Sequence, residues 1–295
     1  MKAIICIGPS ACGKSTFAQT MEEEGFVDIN RDTIRFTHIV ENDGVKDWCN
    51  YKFNRTNEGK VTEICNEMIE HCAQTNTDVV ISDTNLNEKY RKPLVDKLQK
   101  LGYDIVFKDE WDIPHFEQLV KRNESRQGGI STTILWNQWL NYLEYKGFKK
   151  YQPTGRLLEC VIVDIDGTVA DHKGVRSPFD WDKVDQDNAR QHVVDIVTGL
   201  SGKYEIVFLS GRDGSCRDKT VQWLNQTFNG CFGYDLHMRE SGDCRKDYLI
   251  KRELFDIVIR EYDVAMVMDD RPQVLTMWYE LVLNVICVGN IYERF

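Results

Sequence analysis

The sequence lacks the features of a membrane-spanning or secreted chain. No apolar run approaches the length of a bilayer-spanning helix. The N-terminus, MKAIICIGPS, has one lysine and a short apolar run that leads straight into a loop containing a glycine. A signal peptide would need a longer apolar region and a small-residue cleavage site, so this segment predicts a first β-strand. We therefore expect a cytoplasmic protein that does not bind a membrane.

Also missing are the cysteine and histidine spacings of zinc and redox centres. The ten cysteines include no C-x-x-C pair, and the six histidines include no H-E-x-x-H arrangement. Several cysteines, among them Cys65, Cys72 and Cys160, lie in apolar patterns typical of helices or strands. These patterns favour reduced thiols packed in a core over disulfides.

The chain has no broadly basic half. Its formal net charge is −10, and acidic residues outnumber basic ones in both halves. This balance argues against a protein that coats nucleic acid or follows a long duplex, because such proteins neutralise many phosphates. The charge balance is still compatible with a substrate that needs only a few phosphate contacts, such as the end of a nucleic-acid strand.

The length and the pattern of apolar runs predict two α/β domains. The chain has 295 residues, of which 42% are hydrophobic and 28% charged, enough for two globular cores. Apolar runs alternate with helical patterns, which predicts parallel β-α-β units. A polar segment over 151–156, with Pro153 and Gly155, predicts a linker between domains over 1–150 and 157–295. The predicted strands are Ala3–Ile7, Asp78–Ser82, Asp104–Phe107, Leu158–Val163, Tyr204–Leu209, Val264–Met268 and Asn284–Val288.

The first strand leads into a phosphate-binding motif. The segment Gly8-Pro-Ser-Ala-Cys-Gly13-Lys14-Ser15 matches G-x-x-x-x-G-K-S/T in full, between a predicted strand and a predicted helix. Backbone N–H groups and the helix N-terminus would hold phosphates, Lys14 would reach the β- and γ-phosphates, and Ser15 would bind Mg²⁺. The alternative is a tight strand–helix turn with a capping serine. The pattern and its context favour a nucleoside triphosphate site.

Further along the chain, three polar residues are candidates for binding the molecule that accepts the phosphoryl group. Asp32 and Arg35 are three apart and would share a helix face, where a carboxylate can accept a hydroxyl proton and a guanidinium can hold a phosphate. A helix cap and a surface arginine explain them equally well. Asp83 follows a buried strand and would point into the crevice of the sheet. Capping of a helix that starts near Asn87 is its alternative.

Two arginines are candidates for a lid over the transferred phosphate. Arg122 and Arg126 are four apart, which places them on one helix face, and they precede Gly128 and Gly129. Cations that close over a phosphate stabilise its charge during transfer. Basic residues near a helix C-terminus are also favoured by the helix dipole alone, and the spacing leaves both interpretations open.

The second half carries a separate acidic motif. A hydrophobic strand ends in Asp164-Ile-Asp166-Gly167-Thr168, and alternation places the two aspartates on the same side. Such a pair can bind Mg²⁺, with one carboxylate attacking phosphorus and the other moving the leaving-group proton. Groups able to hold phosphate or metal recur at later strand and helix ends, in Ser210-Gly-Arg212, Arg245-Lys246-Asp247 and Asp269-Asp270-Arg271.

These motifs carry a resemblance over nearly the whole chain. The second half resembles the haloacid-dehalogenase phosphatases, with a Rossmann-like fold, and the first half resembles P-loop kinases. Their fusion in this order is similar to the polynucleotide kinase 3′-phosphatases of T-even bacteriophages. The segments that carry the similarity are GPSACGKS, INRDTIR, ISDTNLN, LVKRNESR, DIDGTVA, LSGR, RKD and MDDR.

The resemblance implies a bifunctional enzyme that heals nucleic-acid ends before ligation. One activity would transfer the ATP γ-phosphate to 5′-hydroxyl ends of RNA and DNA, and the other would remove 3′-phosphates through an aspartyl-phosphate. It implies ATP and Mg²⁺ as cofactors, functional pairing with an RNA ligase, and, for a phage-encoded chain, the cytoplasm of the infected bacterium. Whether the chain is a monomer or a homo-oligomer stays open.

The resemblance also implies individual roles. Asp32 would be the general base, Arg35 would hold the neighbouring phosphate, Asp83 would lie at the acceptor site, Asp164 would be the nucleophile and Asp166 the acid/base. The ATP-binding set would be Gly8, Gly13, Lys14, Ser15, Thr16, Arg122 and Arg126. The phosphatase phosphate-binding set would be Arg176, Ser210, Arg212, Asp243 and Lys246. The metal ligands would be Ser15, Asp164, Asp166, Asp269 and Asp270.

Two departures from the family pattern and two alternatives accompany this interpretation. Cys12, where the family often has glycine or serine, predicts an exposed thiol. The short insert after Gly167 predicts an open site suited to a polymer end. A sugar or nucleoside kinase–phosphatase is one alternative. The other is a non-catalytic adaptor, which should have lost Lys14, Asp164 or Asp166, yet all three are present.

Overall fold

The chain folds into two compact units, one ending at Phe148 and the next starting at Lys149. The computed structural model describes residues 1–41, 45–113 and 115–289. Across these ranges, no helix has the length and apolar character needed to cross a membrane. All ten cysteines lie within them and are free thiols.

A four-stranded parallel sheet forms the centre of the first unit. Its strands lie in the order β2-β3-β1-β4, so the first strand of the chain is an inner one. Ile4 of β1 lies opposite Val80 of β3 and Val106 of β4. The inner strands are runs of apolar, mostly β-branched residues that are almost wholly buried, as a covered parallel sheet requires. The bounds are β1 Lys2–Cys6, β2 Val27–Asp28, β3 Val79–Ile81 and β4 Asp104–Lys108.

Within the described residues, six α-helices and one π-helix, Arg35–Ile39, accompany this sheet, and several of the α-helices begin at side-chain caps. Asn54, Asn87 and Ser131 each accept a hydrogen bond from a backbone N–H of the first turn of the helix that follows. The long helix that precedes β3 buries Val61, Ile69 and Cys72 in the core of this unit. The helices are α1 Lys14–Glu23, α2 Arg31–Ile34, α3 Arg55–Gln74, α4 Glu88–Lys100, α5 Phe116–Glu124 and α6 Thr132–Tyr145.

The second unit is built on a five-stranded parallel sheet with β5 at its centre. The order is β11-β10-β5-β8-β9, and β6 and β7 form a separate antiparallel pair between β5 and the next helix. The strands are β5 Leu158–Val163, β6 Ala170–Asp171, β7 Asn188–Ala189, β8 Glu205–Asp213, β9 Tyr234–Arg239, β10 Tyr262–Asp269 and β11 Val285–Cys287. The helices are α7 Gln191–Leu200, α8 Arg217–Thr227, α9 Asp247–Val258 and α10 Pro272–Glu280.

The predicted α/β class with parallel sheets is confirmed in both units. All seven predicted strands are present, with bounds that shift by one residue or more except for β5. The sequence analysis did not assign β2, β6, β7 or β9. Three of these have only two residues, and β9 alternates polar with apolar side chains, of which Leu236 and Met238 are buried.

The segment predicted as a linker is attached to the second unit. The buried Asp263 carboxylate, in β10, accepts hydrogen bonds from the backbone N–H groups of Thr154, Arg156 and Leu157 at 2.6–3.3 Å. The Tyr151 hydroxyl accepts one from the backbone N–H of Val264. The segment 151–156 is therefore an ordered lead-in to β5.

This attachment predicts a protease-sensitive variant. Asp263→Ala removes the shared acceptor, so tryptic cleavage after Arg156 should be faster by about tenfold or more, the equivalent of a lost charge-assisted hydrogen bond. Glu261→Ala, at an exposed residue just before β10, is the matched control. Equal cleavage rates in the two variants would show that Asp263 does not hold the segment.

Two candidate active sites

The phosphate-binding motif forms a curled loop between β1 and α1. Ala11 and Gly13 adopt left-handed backbone conformations, with φ of 64° and 113°. The Lys14 ammonium lies inside the curl and donates to the carbonyls of Gly8 and Pro9. A side chain at Gly8 would collide with the indole of Trp111, which donates to the Ile7 carbonyl at 2.8 Å. The loop is thus backed by protein on one side and presents a buried cation.

Ser15 and Thr16 lie exposed in the first turn of α1, where their hydroxyls are accessible. The prediction that Cys12 is an exposed thiol is wrong. Cys12 is 3% exposed and belongs to an apolar cluster with Leu119 and Trp139. Burial raises the pKa of its thiol. The neighbouring loop geometry turns this side chain into the core, which a motif comparison alone does not reveal.

Asp32 and Arg35 form the close pair that their spacing predicts. Arg35 Nη1 donates to Asp32 Oδ1 at 2.6 Å. The rest of its guanidinium is held by Glu58, a residue of α3 that the sequence analysis missed, with contacts of 3.0 and 2.8 Å. Hydrogen bonds from Arg35, Tyr51 and Arg31 lower the pKa of Glu58 to about 2. The side chain of Arg35 is mostly buried, while the side chain of Asp32 stays 36% exposed to solvent.

Asp83 connects the end of β3 to the start of α2. Its Oδ1 accepts a hydrogen bond from the backbone N–H of Arg31 at 3.0 Å. Burial raises the pKa of Asp83 to about 6, and the nearby Asp32 carboxylate adds to that rise. The helix that starts after Asn87 is capped by Asn87 itself, so Asp83 does not have the alternative role considered for it. Asp83 and Asp32 thus act on each other electrostatically.

The two candidate lid arginines do not share a helix face. α5 ends at Glu124, so Arg122 is helical and Arg126 lies in the turn that follows, before Gly128 with φ of 70°. Arg122 Nη2 lies 4.0 Å from Asp112 Oδ2. Burial lowers the pKa of Arg126, against the charges of Asp32 and Cys12. Its buried Nε has no hydrogen-bond partner in the ranges described. Arg126 therefore lies within electrostatic reach of both Cys12 in the loop and the Asp32 carboxylate.

The second site is centred on a buried lysine among aspartates. Lys251 Nζ lies 2.7 Å from Asp164 Oδ1 and 2.8 Å from Asp269 Oδ2. Burial alone would lower the pKa of Lys251, but Asp164 and Asp269 outweigh burial and raise it. Burial raises the pKa of Asp164 well above its usual value, and Lys251 opposes that rise. Gly167 has a φ of 83°, which strains any other residue, and a Cβ there would also displace the carboxylate of Asp270.

The aspartates at the ends of β5 and β10 suit a divalent cation. Within the described ranges, Asp164, Asp269 and Asp270 form a group whose candidate ligand atoms lie within 4.8 Å of one another, and all three are buried. Carboxylate oxygens are the donors that Mg²⁺ prefers. The group does not include Asp166, which the sequence analysis counted among the metal ligands.

The Asp166 carboxylate is instead held by two arginines. Arg212 donates to both of its oxygens at 2.9 and 2.8 Å, and Arg176 donates to Oδ1 at 2.7 Å. Both guanidiniums are also held by the buried Asp187, a residue that the sequence analysis missed. Burial tends to raise the pKa of Asp166, but Arg212 and Arg176 outweigh it and lower the pKa. The ionised form of Asp166 is therefore favoured, and that form can accept a proton.

Comparison with known proteins identifies the family that each half of the chain matches. Residues 158–291 match the polynucleotide kinase PNKP phosphatase domain. The second unit belongs to that domain family. Residues 4–134 match the AAA domain family. The chain thus joins a P-loop domain of the AAA kind to a PNKP-type phosphatase domain, in the order that the sequence predicts.

One curated relative aligns with almost the whole chain. It is a "Putative bifunctional polynucleotide kinase/RNA ligase" of Autographa californica nuclear polyhedrosis virus, 35% identical over 291 residues. The alignment covers 94% of this chain but 41% of that relative, so this chain spans about two fifths of the relative's length. Two solved structures, titled as a Pnkp1/Rnl/Hen1 complex and as a Pnkp1/Rnl/Hen1 RNA repair complex, each show 28% identity and a TM-score of 0.45, with 100% of this chain and 97% of theirs covered.

Within the phosphatase domain, the lysine beside the aspartates is not the one that the sequence predicts. Lys246 is exposed and precedes α9, whereas Lys251 is buried one turn inside that helix. The exposed Arg245 pairs with Asp243 at 2.7 Å, so Asp243 has an arginine partner outside the aspartate group. Ser210 is fully buried, and its hydroxyl accepts from the backbone N–H of Arg212.

The two lysines allow a matched stability test. Lys251→Met leaves Asp164 and Asp269 buried without their cation, which should lower the free energy of unfolding of this domain by about 3–5 kcal/mol. Lys246→Met removes an exposed charge and should change it by less than about 0.5 kcal/mol. Urea unfolding of both variants measures the difference. Similar values for the two would mean that Lys251 does not neutralise the aspartates.

Proposed function

We propose that this chain heals nucleic-acid ends, phosphorylating 5′-hydroxyls with ATP and removing 3′-phosphates. The observation that carries the proposal is the pairing, in one chain, of a P-loop domain containing the exposed Asp32 carboxylate with a PNKP-type phosphatase domain. An isolated P-loop identifies a nucleotide donor only. The phosphatase partner connects the acceptor to polynucleotide ends.

In the kinase reaction, Asp32 accepts the proton of the attacking 5′-hydroxyl, and the oxygen bonds to the γ-phosphorus as the bond to ADP breaks. The Lys14 ammonium and the N-terminus of α1 stabilise the phosphate charge. Arg126 adds a half-buried cation that interacts electrostatically with Asp32. Asp83 sets the start of α2 and so helps to position Asp32.

In the phosphatase reaction, Asp164 attacks the 3′-phosphate, which forms an aspartyl-phosphate and releases the 3′-oxygen. The leaving 3′-oxygen takes up a proton from the protonated form of Asp166, which is the minor form beside its two arginines, and this donation leaves Asp166 ionised. Water next cleaves the aspartyl-phosphate and restores Asp164, with Asp166 accepting the proton of that water. Arg176 and Arg212 position Asp166 throughout.

Kinase domains and phosphatase domains of these kinds generally use ATP and Mg²⁺. Ser15 in the first domain, and Asp164, Asp269 and Asp270 in the second, are the residues that would hold the metal. Bound Mg²⁺ would neutralise phosphate charge in each site. Because these residues suit a metal bound beside phosphate groups, we propose ATP and Mg²⁺ as the cofactors.

We also propose RNA and DNA ends as the substrates, and an RNA ligase as the enzyme that uses the products. A 5′-phosphate and a 3′-hydroxyl are the two groups that such a joining reaction requires. The name of the viral relative combines polynucleotide kinase with RNA ligase, and this chain matches about two fifths of that protein.

Single substitutions should separate the two activities. Lys14→Ala should abolish 5′-phosphorylation and leave 3′-dephosphorylation intact, whereas Asp164→Asn should do the reverse, because the two residues lie in different compact units. Both activities are measured on oligonucleotides carrying a labelled 5′-hydroxyl or 3′-phosphate, with ATP and Mg²⁺. Loss of both activities in either folded variant would contradict independent sites.

Arg35 provides a test of the acceptor. If it binds a substrate phosphate, the kinase should prefer a nucleoside 3′-phosphate to the bare nucleoside by roughly ten- to a hundredfold in kcat/KM, and Arg35→Ala should erase the preference. If Arg35 only positions Asp32, the substitution should lower kcat equally for both acceptors and leave the preference unchanged. Wild-type enzyme that uses both acceptors equally would favour the alternative of a metabolite kinase.

A further inference from the structure

An aromatic cluster lies directly beside the acceptor residues of the first domain. The indole of Trp48 and the ring of Phe53 are stacked, with centroids 5.7 Å apart and planes 20° from parallel. Tyr51 meets Phe53 edge-on at 4.8 Å, and Phe36 meets Trp48 edge-on at 5.0 Å. These four rings therefore form a continuous aromatic cluster between α2 and α3.

Burial divides the cluster into a base and a top. Phe36 is 0% exposed and Tyr51 is 5% exposed, so these two rings are packed in the interior. Phe53 is 63% exposed, although it is supported by Trp48 and Tyr51. A single exposed aromatic ring is common on protein surfaces and carries no argument by itself. Phe53 differs from such a ring because other rings hold it in place while most of its surface stays exposed to solvent. What lies beside the ring then indicates what it can bind.

Arg35 lies directly beside the ring. Its guanidinium lies 5.5 Å from the centroid of Phe53, and its Nη1 donates to Asp32 at 2.6 Å. The exposed ring is thus separated from the candidate general base by one arginine side chain. On the other side, Trp48 Nε1 donates to the carbonyl of Gly128, two residues from Arg126.

The stretch that carries the ring has a local excess of positive charge. Residues 46–55 include Trp48, Tyr51 and Phe53 together with three exposed or half-buried cations, Lys46, Lys52 and Arg55, and one acidic residue, Asp47. The nearby carboxylates of Asp32 and Glu58 are both paired with Arg35. Aromatic rings interleaved with basic side chains are the usual surface for single-stranded nucleic acid, because bases stack on the rings while cations follow the phosphates. This local charge contrasts with the net charge of −10 for the whole chain.

We propose that Phe53, supported by Trp48, is a stacking platform for a nucleobase in the first two nucleotides of the acceptor strand. The inference rests on the proposed 5′-kinase activity and specifies how its acceptor is held. Every base has a π-face, so such a platform accepts any end sequence. It also separates a polynucleotide or nucleotide acceptor from a sugar, which has no base to stack.

Fluorescence of 2-aminopurine tests the contact without relying on turnover. The probe is a short 5′-hydroxyl oligonucleotide with 2-aminopurine at nucleotide 1 or 2, and the control probe has it at nucleotide 8. Wild-type protein should quench the probe at nucleotide 1 or 2, and Phe53→Ala should lose that quenching. Phe53→Tyr should restore it and Phe53→Leu should not, because a merely structural role would be served by leucine.

Kinetics supply the second measurement. An abasic residue at nucleotide 1 or 2 should lower wild-type kcat/KM by roughly five- to a hundredfold, mainly through KM for the oligonucleotide, and Phe53→Ala should show almost no such difference. The KM for ATP and the 3′-phosphatase activity should not change. Tyr90→Ala, at an exposed aromatic residue of α4, should behave as wild type.

The outcomes separate this inference from the proposed function. Suppose that the wild-type protein phosphorylates 5′-hydroxyl oligonucleotides, and that Phe53→Ala shows the same quenching and the same abasic penalty as wild type. This result would overturn the stacking platform and leave the proposed kinase function standing. Wild-type protein that phosphorylates no oligonucleotide would overturn the proposed kinase function and the platform with it. Rescue of both signals by Phe53→Leu would assign the residue to packing and would also overturn the platform.

Discussion

The second site depends on burying several carboxylates close together, which is possible only if cations neutralise them. Parallel strands deliver side chains to one edge of a sheet, so the acids that follow β5 and β10 arrive at the same place. In the phosphatase domain Lys251 lies between Asp164 and Asp269, while two arginines hold Asp166. Without these cations the like charges would repel and one or more acids would take up a proton.

The same constraint gives Asp164 and Asp166 different surroundings. Asp164 lies beside the Lys251 ammonium and the aspartates at the end of β10. Burial there favours the neutral form of Asp164, and the charge of Lys251 or of a bound metal opposes that effect. Asp166, two residues later, faces guanidiniums that favour its ionised form. Two chemically identical side chains thus acquire different proton affinities from their neighbours, as the different roles proposed for them require.

Much of this architecture could be predicted from the sequence, because the strands are apolar runs and the motifs sit at their ends. The fold class, the contact between Asp32 and Arg35, and the meeting of Asp164 with Asp269 follow from local spacing and from the rule that parallel strands end at one edge. Lys251 was missed because attention went to Lys246, which adjoins the RKD run. A signal was present: Lys251 is a charged residue within the otherwise apolar stripe of α9, beside Ile250 and Phe255.

Two of the remaining misses, Glu58 and Asp187, share a physical cause, which is that their partners are not neighbours in the sequence. Glu58 and Asp187 are single acids outside any motif, and only the fold brings them to arginines 23 and 11 residues away. Arg126 was placed on a helix because four-residue spacing cannot reveal that α5 ends at Glu124. Spacing rules describe neighbours on one element, and these residues act across elements or beyond an element's end.

Glu58 also limits what Arg35 can contribute to acceptor binding. The guanidinium already makes two close contacts with Glu58 and one with Asp32, so a substrate phosphate would share donors rather than meet a free cation. Hydrogen bonds from Arg35, Tyr51 and Arg31 keep Glu58 ionised, and it therefore competes for Arg35 across the neutral pH range. Arg35 is accordingly better suited to orient an acceptor than to supply most of its affinity. Affinity must then come from a contact that Glu58 does not neutralise, and stacking on an uncharged ring beside Arg35 is such a contact.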